Sequence, residues 1–328
     1  MRRLRPPALY AVLVALLLGL TLASLLAGRV WLPLSSWMAD SSDPRSLILL
    51  ELRLPRTLLA LLVGAALGLS GAALQGYTRN PLADPGVLGV SATAALGAVC
   101  TLYFGSAAAA AWVTPAAAMA GAALGMAVLL LLSGAASSLV TFILAGAVLN
   151  VAAGAGVSLA LSLAPDAWAV AEITNWLMGS LADRSRDDLL LGAPFILLGC
   201  AVLLTLGRGL DALTLGETTA RSLGVDLSAL RLRLAAGVAL ATGASVAVTG
   251  VIGFVGLITP HLLRPLVGAR PGALLLPSAM AGAALTLAAD IGVRLTPAAV
   301  ELRLGVIMAA VGAPFFLVLL LVMRRRLA

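Results

Sequence analysis

Lysine is absent from these 328 residues, histidine occurs once (His261) and cysteine twice (Cys100 and Cys200). Each scarcity closes a class. Without Lys there is no Gly-x-x-x-x-Gly-Lys-Ser/Thr loop, so the chain has no nucleotide-cradling loop of its own. With one His there is no metal-ligating cluster and no nucleophile–base pair, so neither catalytic nor metal residues are expected. Two cysteines in separate apolar runs give neither a disulfide framework nor a zinc spacing, and read as small buried hydrophobes. Charge is scarce as well, at 11% of residues, against about 25% in soluble domains.

What remains is apolar. Hydrophobic residues make up 61% of the chain and the mean hydropathy is +1.09. No water-soluble fold hides that much apolar surface, so the expected class is an all-α integral membrane protein, with residues 1–328 as one membrane domain. The net charge is +7 and all 21 basic residues are Arg. They sit scattered at the ends of apolar runs rather than on one soluble face. That pattern speaks for membrane orientation and against nucleic acid as a partner.

Runs long enough to span a bilayer cover 8–28, 57–76, 86–104, 107–132, 139–164, 189–206, 235–254, 271–290 and 304–323. A shorter run, about 255–268, contains "GLITPHLLRP" and reads as a broken or half-length helix, giving ten spans. Residues 8–28 are too long for a signal-peptide core and are followed by further spans, so they read as an uncleaved first helix. Arg2, Arg3 and Arg5 at one terminus and Arg324, Arg325 and Arg326 at the other place both ends in the cytoplasm, which requires an even count. In this threading Trp31, Trp37, Trp112, Trp168 and Trp176 all fall at or beyond outer ends, where interfacial aromatics belong. Gly64, Gly68 and Gly71 form a small-residue face for close helix packing.

The connections carry the polar residues. Asn80–Pro81 and Asp84–Pro85 in "RNPLADPGVLGV" (79–90) each pair a helix cap with a first-turn residue, and predict a tight corner. Residues 165–188 predict a short helix on the outer surface, and Arg53, Arg56 and Arg294 are left as outward-facing cations at span ends. By residue chemistry alone these arginines are interfacial anchors. Among the spans, Asp290 sits at an end and no Asp, Glu or Arg lies in the middle of one. An ion-coupled secondary transporter needs buried ionisable groups, and an intramembrane enzyme needs a catalytic constellation. Thr141 and Asn150 in the fifth span offer polar contacts, either to a pathway or between helices.

One long polar stretch lies between spans six and seven, "LGETTARSLGVDLSALRLR" (215–233). Glu217 to Leu223, with Arg221 inside, predicts two helical turns stopped by Gly224. Asp226 then caps a second short helix beginning at Leu227 and running into Arg231 and Arg233. Leu215, Leu223, Val225, Leu227 and Leu230 give the pair an apolar side. Helices this short need something to dock against. That is either a partner at the membrane surface or the protein's own helix ends.

Several stretches in order, "RLPRTLLALLVGAALGLSGAALQG", "RNPLADPGVLGVSA", "WLMGSL", "LGVDLSALR", "GFVGLITPHLLRPLVG" and "LRLGVIMAAVGAPFFLVLLL", resemble the FecCD-type permeases of ABC importers. These carry iron–siderophore complexes, haem or cobalamin. The resemblance runs nearly end to end. It implies the BtuC-like, type II importer fold of ten helices, with spans 2–5 and 7–10 as inverted repeats. It also implies a homodimer, two ATP-binding cassette ATPase subunits that hold the ATP and Mg, and a periplasmic substrate-binding protein. The setting implied is the bacterial inner membrane, with no cofactor in this chain. It assigns Glu217, Arg221, Leu223, Gly224, Asp226 and Leu227 to ATPase coupling, Arg53, Arg56 and Arg294 to docking acidic residues of the binding protein, and the helix around Thr141 and Asn150 to the pathway. An iron chelate is the expected cargo and cobalamin the alternative.

Overall fold

A computed structural model of the chain describes residues 6–28, 31–33, 43–104, 110–134, 139–268, 270–296 and 302–327. The elements are α1 (Pro6–Leu26), a short α2 (Pro44–Leu47) that runs through a π-helical turn (Ile48–Arg53) into α3 (Leu54–Thr78), α4 (Val90–Tyr103), α5 (Val113–Ser133), α6 (Leu139–Ser162), α7 (Ala167–Leu177), α8 (Arg186–Leu204), α9 (Gly207–Leu213), α10 (Glu217–Ser222), α11 (Leu227–Thr249), α12 (Val255–Val267), α13 (Pro271–Leu295) and α14 (Leu304–Leu327). Seven of these (α1, α3 with its lead-in, α5, α6, α8, α11 and α13) are long and apolar enough to cross a bilayer. The shorter apolar helices α4, α12 and α14 bring the number to ten. The protein is a multi-pass membrane protein, and its described residues hold ten apolar helices where ten spans were expected. Trp37 and the terminal Arg2, Arg3 and Arg5 lie outside the described residues.

Several boundaries differ from the hydropathy reading, each for a local reason. The third span begins at Val90, not 86. Asn80 and Asp84 do not cap helices; their side chains accept from Leu82 N (2.9 Å) and Gly86 N (2.8 Å) in successive turns. Gly89, with φ of +80°, then launches α4. The sixth span starts early, at Arg186, because Ser185 and Asp188 close a reciprocal capping box. The seventh starts at Leu227: the second short helix expected after Asp226 is no separate element but the first turns of α11. Nothing between 227 and 249 breaks a helix, so its polar start, with Arg231 and Arg233, extends past the apolar run.

The packing has an internal pairing. α3 lies along α13 as α11 lies along α5; α4 packs on α5 and α6 as α12 packs on α13 and α14. The second-to-fifth and seventh-to-tenth spans thus repeat one set of contacts, as inverted repeats do. Local geometry repeats too: α3 and α11 both end on a positive-φ residue (Arg79 at 50°, Gly250 at 71°), and the short α4 and α12 both begin after one (Gly89 at 80°, Phe254 at 67°).

The two central pairs are held by glycine. A Cβ on Gly64 would collide with the Gly282 carbonyl oxygen, one on Gly68 with the Ser278 carbonyl, and one on Gly71 with the backbone of Gly256. The small-residue face read from the sequence is therefore the seam that lets α3 meet α13 and α12 backbone to backbone. α6 is different. Val140, Leu144, Val148, Val151 and Leu159 leave one long side of it exposed in the single chain.

Candidate functional site: an interhelical hairpin, an arginine knot and a polar cavity

At one end of the bundle α8 gives way to α9, α10 and the start of α11. α10 is terminated as its sequence demands. Gly224 takes φ of +83°, its N–H bonds to Arg221 O (2.9 Å), and Val225 N–H bonds to Ala220 O (3.0 Å). These are the two hydrogen bonds of a Schellman stop. Asp226 then caps α11, accepting from Ser228 N (2.9 Å) and Ala229 N (3.0 Å). Two capping devices within three residues make this hairpin stiff.

The apolar residues of the stretch divide between two directions. Ala220 is fully buried, Leu230 nearly so, and Val225 and Leu227 pack on the bundle core. Leu215 and Leu223 are each 62% exposed, beside the exposed Glu217, Arg221 and Asp226. Of the two docking surfaces considered for the sequence, the protein's own helix ends take one side of the stretch, and two leucines remain outward. The support comes from α9, with Leu210 and Leu213 buried beneath. Sequence reading missed α9 because its seven residues, GRGLDAL, are too few and too polar to register as an apolar run and follow α8 after only a two-residue break.

At the opposite end, the three arginines expected to face outward are tied down. Asp290 is fully buried. It accepts from Arg56 Nε (3.0 Å) and Nη2 (2.8 Å) through Oδ1, and from Arg294 Nε (2.9 Å) and Nη2 through Oδ2. The spare Nη1 of Arg294 donates to Ser24 O (2.9 Å), and Arg53 Nη1 donates to Leu25 O (3.0 Å) and Leu26 O (2.7 Å). Cations here satisfy the orphan carbonyls at the end of α1. Arg53 and Arg294 are buried, and Arg56 keeps only 14% of its side chain exposed. The expectation of freely outward-facing cations is therefore corrected: they form a knot joining α1, α3 and α13. One carboxylate, Asp290, meets two of the guanidiniums, and a cavity of about 220 Å³ beside the knot is also lined by Asp183 and Arg184. The (i, i+4) spacing of Asp290 and Arg294 was visible in the sequence; the partner 234 residues away was not.

On the same side a larger cavity, about 400 Å³, opens between α7 and the segments after α11 and before α14, lined among others by Trp168, Glu172, Asn175, Trp176, Thr249 and Arg303. α7 is the short helix expected within 165–188, capped by Asp166 on Ala169 N (2.8 Å). Its loop is sewn in by Ser180 N to Thr249 O (2.7 Å) and Gly305 N to Gly179 O (3.2 Å). Thr141 is exposed and Asn150 half-buried on α6; neither lines this cavity. His261 stands on α12 with its ring edge-on to Phe315, centroids 5.9 Å apart. That contact is packing.

In this framework the comparisons agree with one another. Residues 16–322 match the model of the FecCD transport family. An uncharacterised ABC transporter permease, YvrB of Bacillus subtilis, is 41% identical over 287 residues, covering 86% of this chain and 81% of its own. The vitamin B12 import system permease BtuC of Klebsiella pneumoniae is 38% identical, covering 96% of this chain and 93% of its own. The hemin transport system permease HmuU of Yersinia pestis is 37% identical over 99% of this chain and 98% of its own. Among solved structures, an inward-facing putative metal-chelate type ABC transporter superposes with a TM-score of 0.85 at 34% identity, covering 96% of this chain and 99% of the other.

Proposed function

This chain belongs to the FecCD transport family and is a membrane permease of the ABC-importer type, and we propose that it carries an iron chelate, a siderophore complex or haem, inward across a bacterial cytoplasmic membrane, driven by a separate ATPase. In this reading two copies pair around a central pathway, with the exposed side of α6, including Thr141 and Asn150, turned toward the partner copy and the cargo. Two ATP-binding cassette subunits, which hold the ATP and Mg, sit on the hairpin of α9, α10 and the start of α11. Both termini then lie in the cytoplasm, on the side of that hairpin.

The observation that carries the proposal is the divided hairpin. Ala220, Val225 and Leu230 root it in the core while Leu215 and Leu223 point away from it. A rigid projection that is clamped on one side and apolar on the other suits the transmission of force from a neighbour. The chain has no nucleotide loop with which to supply that force itself. The cavity of Trp168, Trp176, Glu172, Asn175 and Arg303 suits the mouth of the pathway. Broad aromatic faces with a few polar groups accept a large chelate without gripping it, and weak sites let cargo leave.

On the outer side the arginines of the knot draw acidic side chains of a binding protein. With Arg53 and Arg294 buried, the attraction acts chiefly as a local field opening through the cavity, and direct contact falls to Arg56 and Arg184. Cobalamin is the second reading of the cargo, favoured by relatives named for vitamin B12 import. Uptake by vesicles containing the permease, its ATPase and its binding protein, offered haem, ferric siderophores and cobalamin in turn, separates these. Preferential cobalamin uptake overturns the iron assignment.

A test of the coupling surface is Leu215→Asp with Leu223→Asp. Both side chains are exposed, so the permease is expected to insert and fold normally and to lose ATPase association. Undiminished association removes the hairpin from that role.

A further inference from the structure

Where α3 and α12 end and α13 begins, a cavity of about 230 Å³ opens at the same end of the bundle as α10. Its wall includes Gln75, Arg79, Arg264, Arg270, Pro271 and Leu274. Three arginines thus line a space of about eight water volumes, and no carboxylate lines it. Arg79 and Arg270 make no ion pair among the described residues. Arg264 is half-buried, and its one described hydrogen bond is from Nη2 to the neutral Gln75 Oε1 (2.8 Å); Gln75 is itself fixed through Nε2 to Gly256 O (3.1 Å). The nearby acid, Asp211, is engaged by the Gly272 N–H at 2.8 Å. Asp84 lies behind Gly256 and does not reach the cavity wall.

Arg264 is half-buried with two exposed arginines, Arg79 and Arg270, on the same cavity wall; a partly buried cation among like charges is costly, and an anion stabilises the arrangement. Guanidinium forks match phosphate oxygens in geometry as well as charge. The position selects the kind of phosphate. The cavity lies where spans end, and Leu82, Leu262 and Leu276, each within two residues of a lining residue, expose 39%, 53% and 46% of their surface. A ligand with a phosphate and apolar tails matches both features, and basic pockets between transmembrane helices at this depth hold such headgroups.

We infer that this cavity binds the phosphate of an anionic phospholipid from the leaflet on the α10 side, with Arg79, Arg264 and Arg270 as its cationic wall. The inference is independent of cargo and coupling. The bound headgroup bridges the ends of α3 and α12 to the start of α13, next to Thr214 at the base of the hairpin.

The test uses the full chain in detergent, with native mass spectrometry after incubation with phosphatidylglycerol, cardiolipin or phosphatidylcholine. The variant is Arg79→Gln with Arg270→Gln, both exposed positions; Arg264 is left intact to preserve the fold. Retention of the two anionic lipids is expected to fall about tenfold in the variant, with phosphatidylcholine unchanged. Phosphatidylglycerol should raise the melting temperature of the unaltered chain more than that of the variant, and excess inorganic phosphate should reproduce little of this shift. Equal lipid retention in both proteins overturns the inference. A full stabilising shift from inorganic phosphate alone overturns the lipid as its source. Lost ATPase association with lipid retention intact assigns the arginines to a protein contact instead.

Discussion

Arg56 and Asp290, 234 residues apart in the chain, meet with Nη2 2.8 Å from Oδ1, and the carboxylate is completely buried. It answers two cations at once, because Arg294 takes its other oxygen. Replacing Asp290 by Asn keeps the shape and removes the charge that both Arg56 and Arg294 meet. Breaking one partner of a buried ion pair costs about 3–5 kcal/mol. The Asp290→Asn chain is expected to lose that much in denaturant unfolding in detergent, or to be degraded in cells. Stability within about 1 kcal/mol of the unaltered chain shows that the knot is solvated and weak, as surface pairs are.

The α3 seam gives a second, sterically defined expectation. Gly71→Ala drives a methyl into the Gly256 backbone, which cannot move aside as a flexible side chain would. Overpacking of this kind costs about 3 kcal/mol. Gly19→Ala on α1, with nothing within 4 Å of the added carbon, is the control, and is expected to be neutral or to stabilise by about 0.5–1 kcal/mol through reduced backbone freedom. Melting temperatures in one detergent compare the two, and equal behaviour contradicts the close approach of α3 and α12.

Asp84 makes stability depend on pH. Burial pushes its carboxyl from the ordinary 3.8 up to about 6, opposed in part by the hydrogen bond from Gly86 N–H. The native state therefore holds this proton more tightly than the unfolded chain does. Its contribution is unchanged below about pH 4 and becomes unfavourable as pH rises toward 6, levelling off above that, a loss on the order of 3 kcal/mol at about 1.4 per unit. Asp84→Asn keeps an acceptor for Gly86 and is expected to flatten this part of the profile while stabilising the protein near pH 7. A pH profile between 4 and 6 that the substitution leaves unaltered places Asp84 in water.

Much of this architecture is written locally. Ten spans follow from the lengths of apolar runs, the stop of α10 from Gly224, and the α3 seam from glycines at Gly64, Gly68 and Gly71. Boundaries were misread where a polar start belongs to a long helix, as at Ser185–Asp188 and Asp226, since hydropathy sees the bilayer and not the helix. The arginine knot was legible only in part. Residues at span ends were identified as cations near one surface, but their buried partner and the α1 carbonyls they satisfy depend on three helices meeting, which no local pattern encodes. The anionic-lipid cavity is hidden for the same reason: Arg79, Arg264 and Arg270 come from the ends of three separate helices, α3, α12 and α13, and line one cavity only in the fold.

The central claim is that force enters this chain through the hairpin that carries Leu215 and Leu223. Its most direct test is uphill uptake of chelate into liposomes containing the purified permease, alone and then with its ATPase and binding protein, for the unaltered chain and for Leu215→Asp with Leu223→Asp. The account predicts accumulation only when the unaltered chain, ATPase, binding protein and ATP are all present, and none for the substituted chain. Accumulation by the permease alone, or undiminished pumping by the substituted chain, contradicts it.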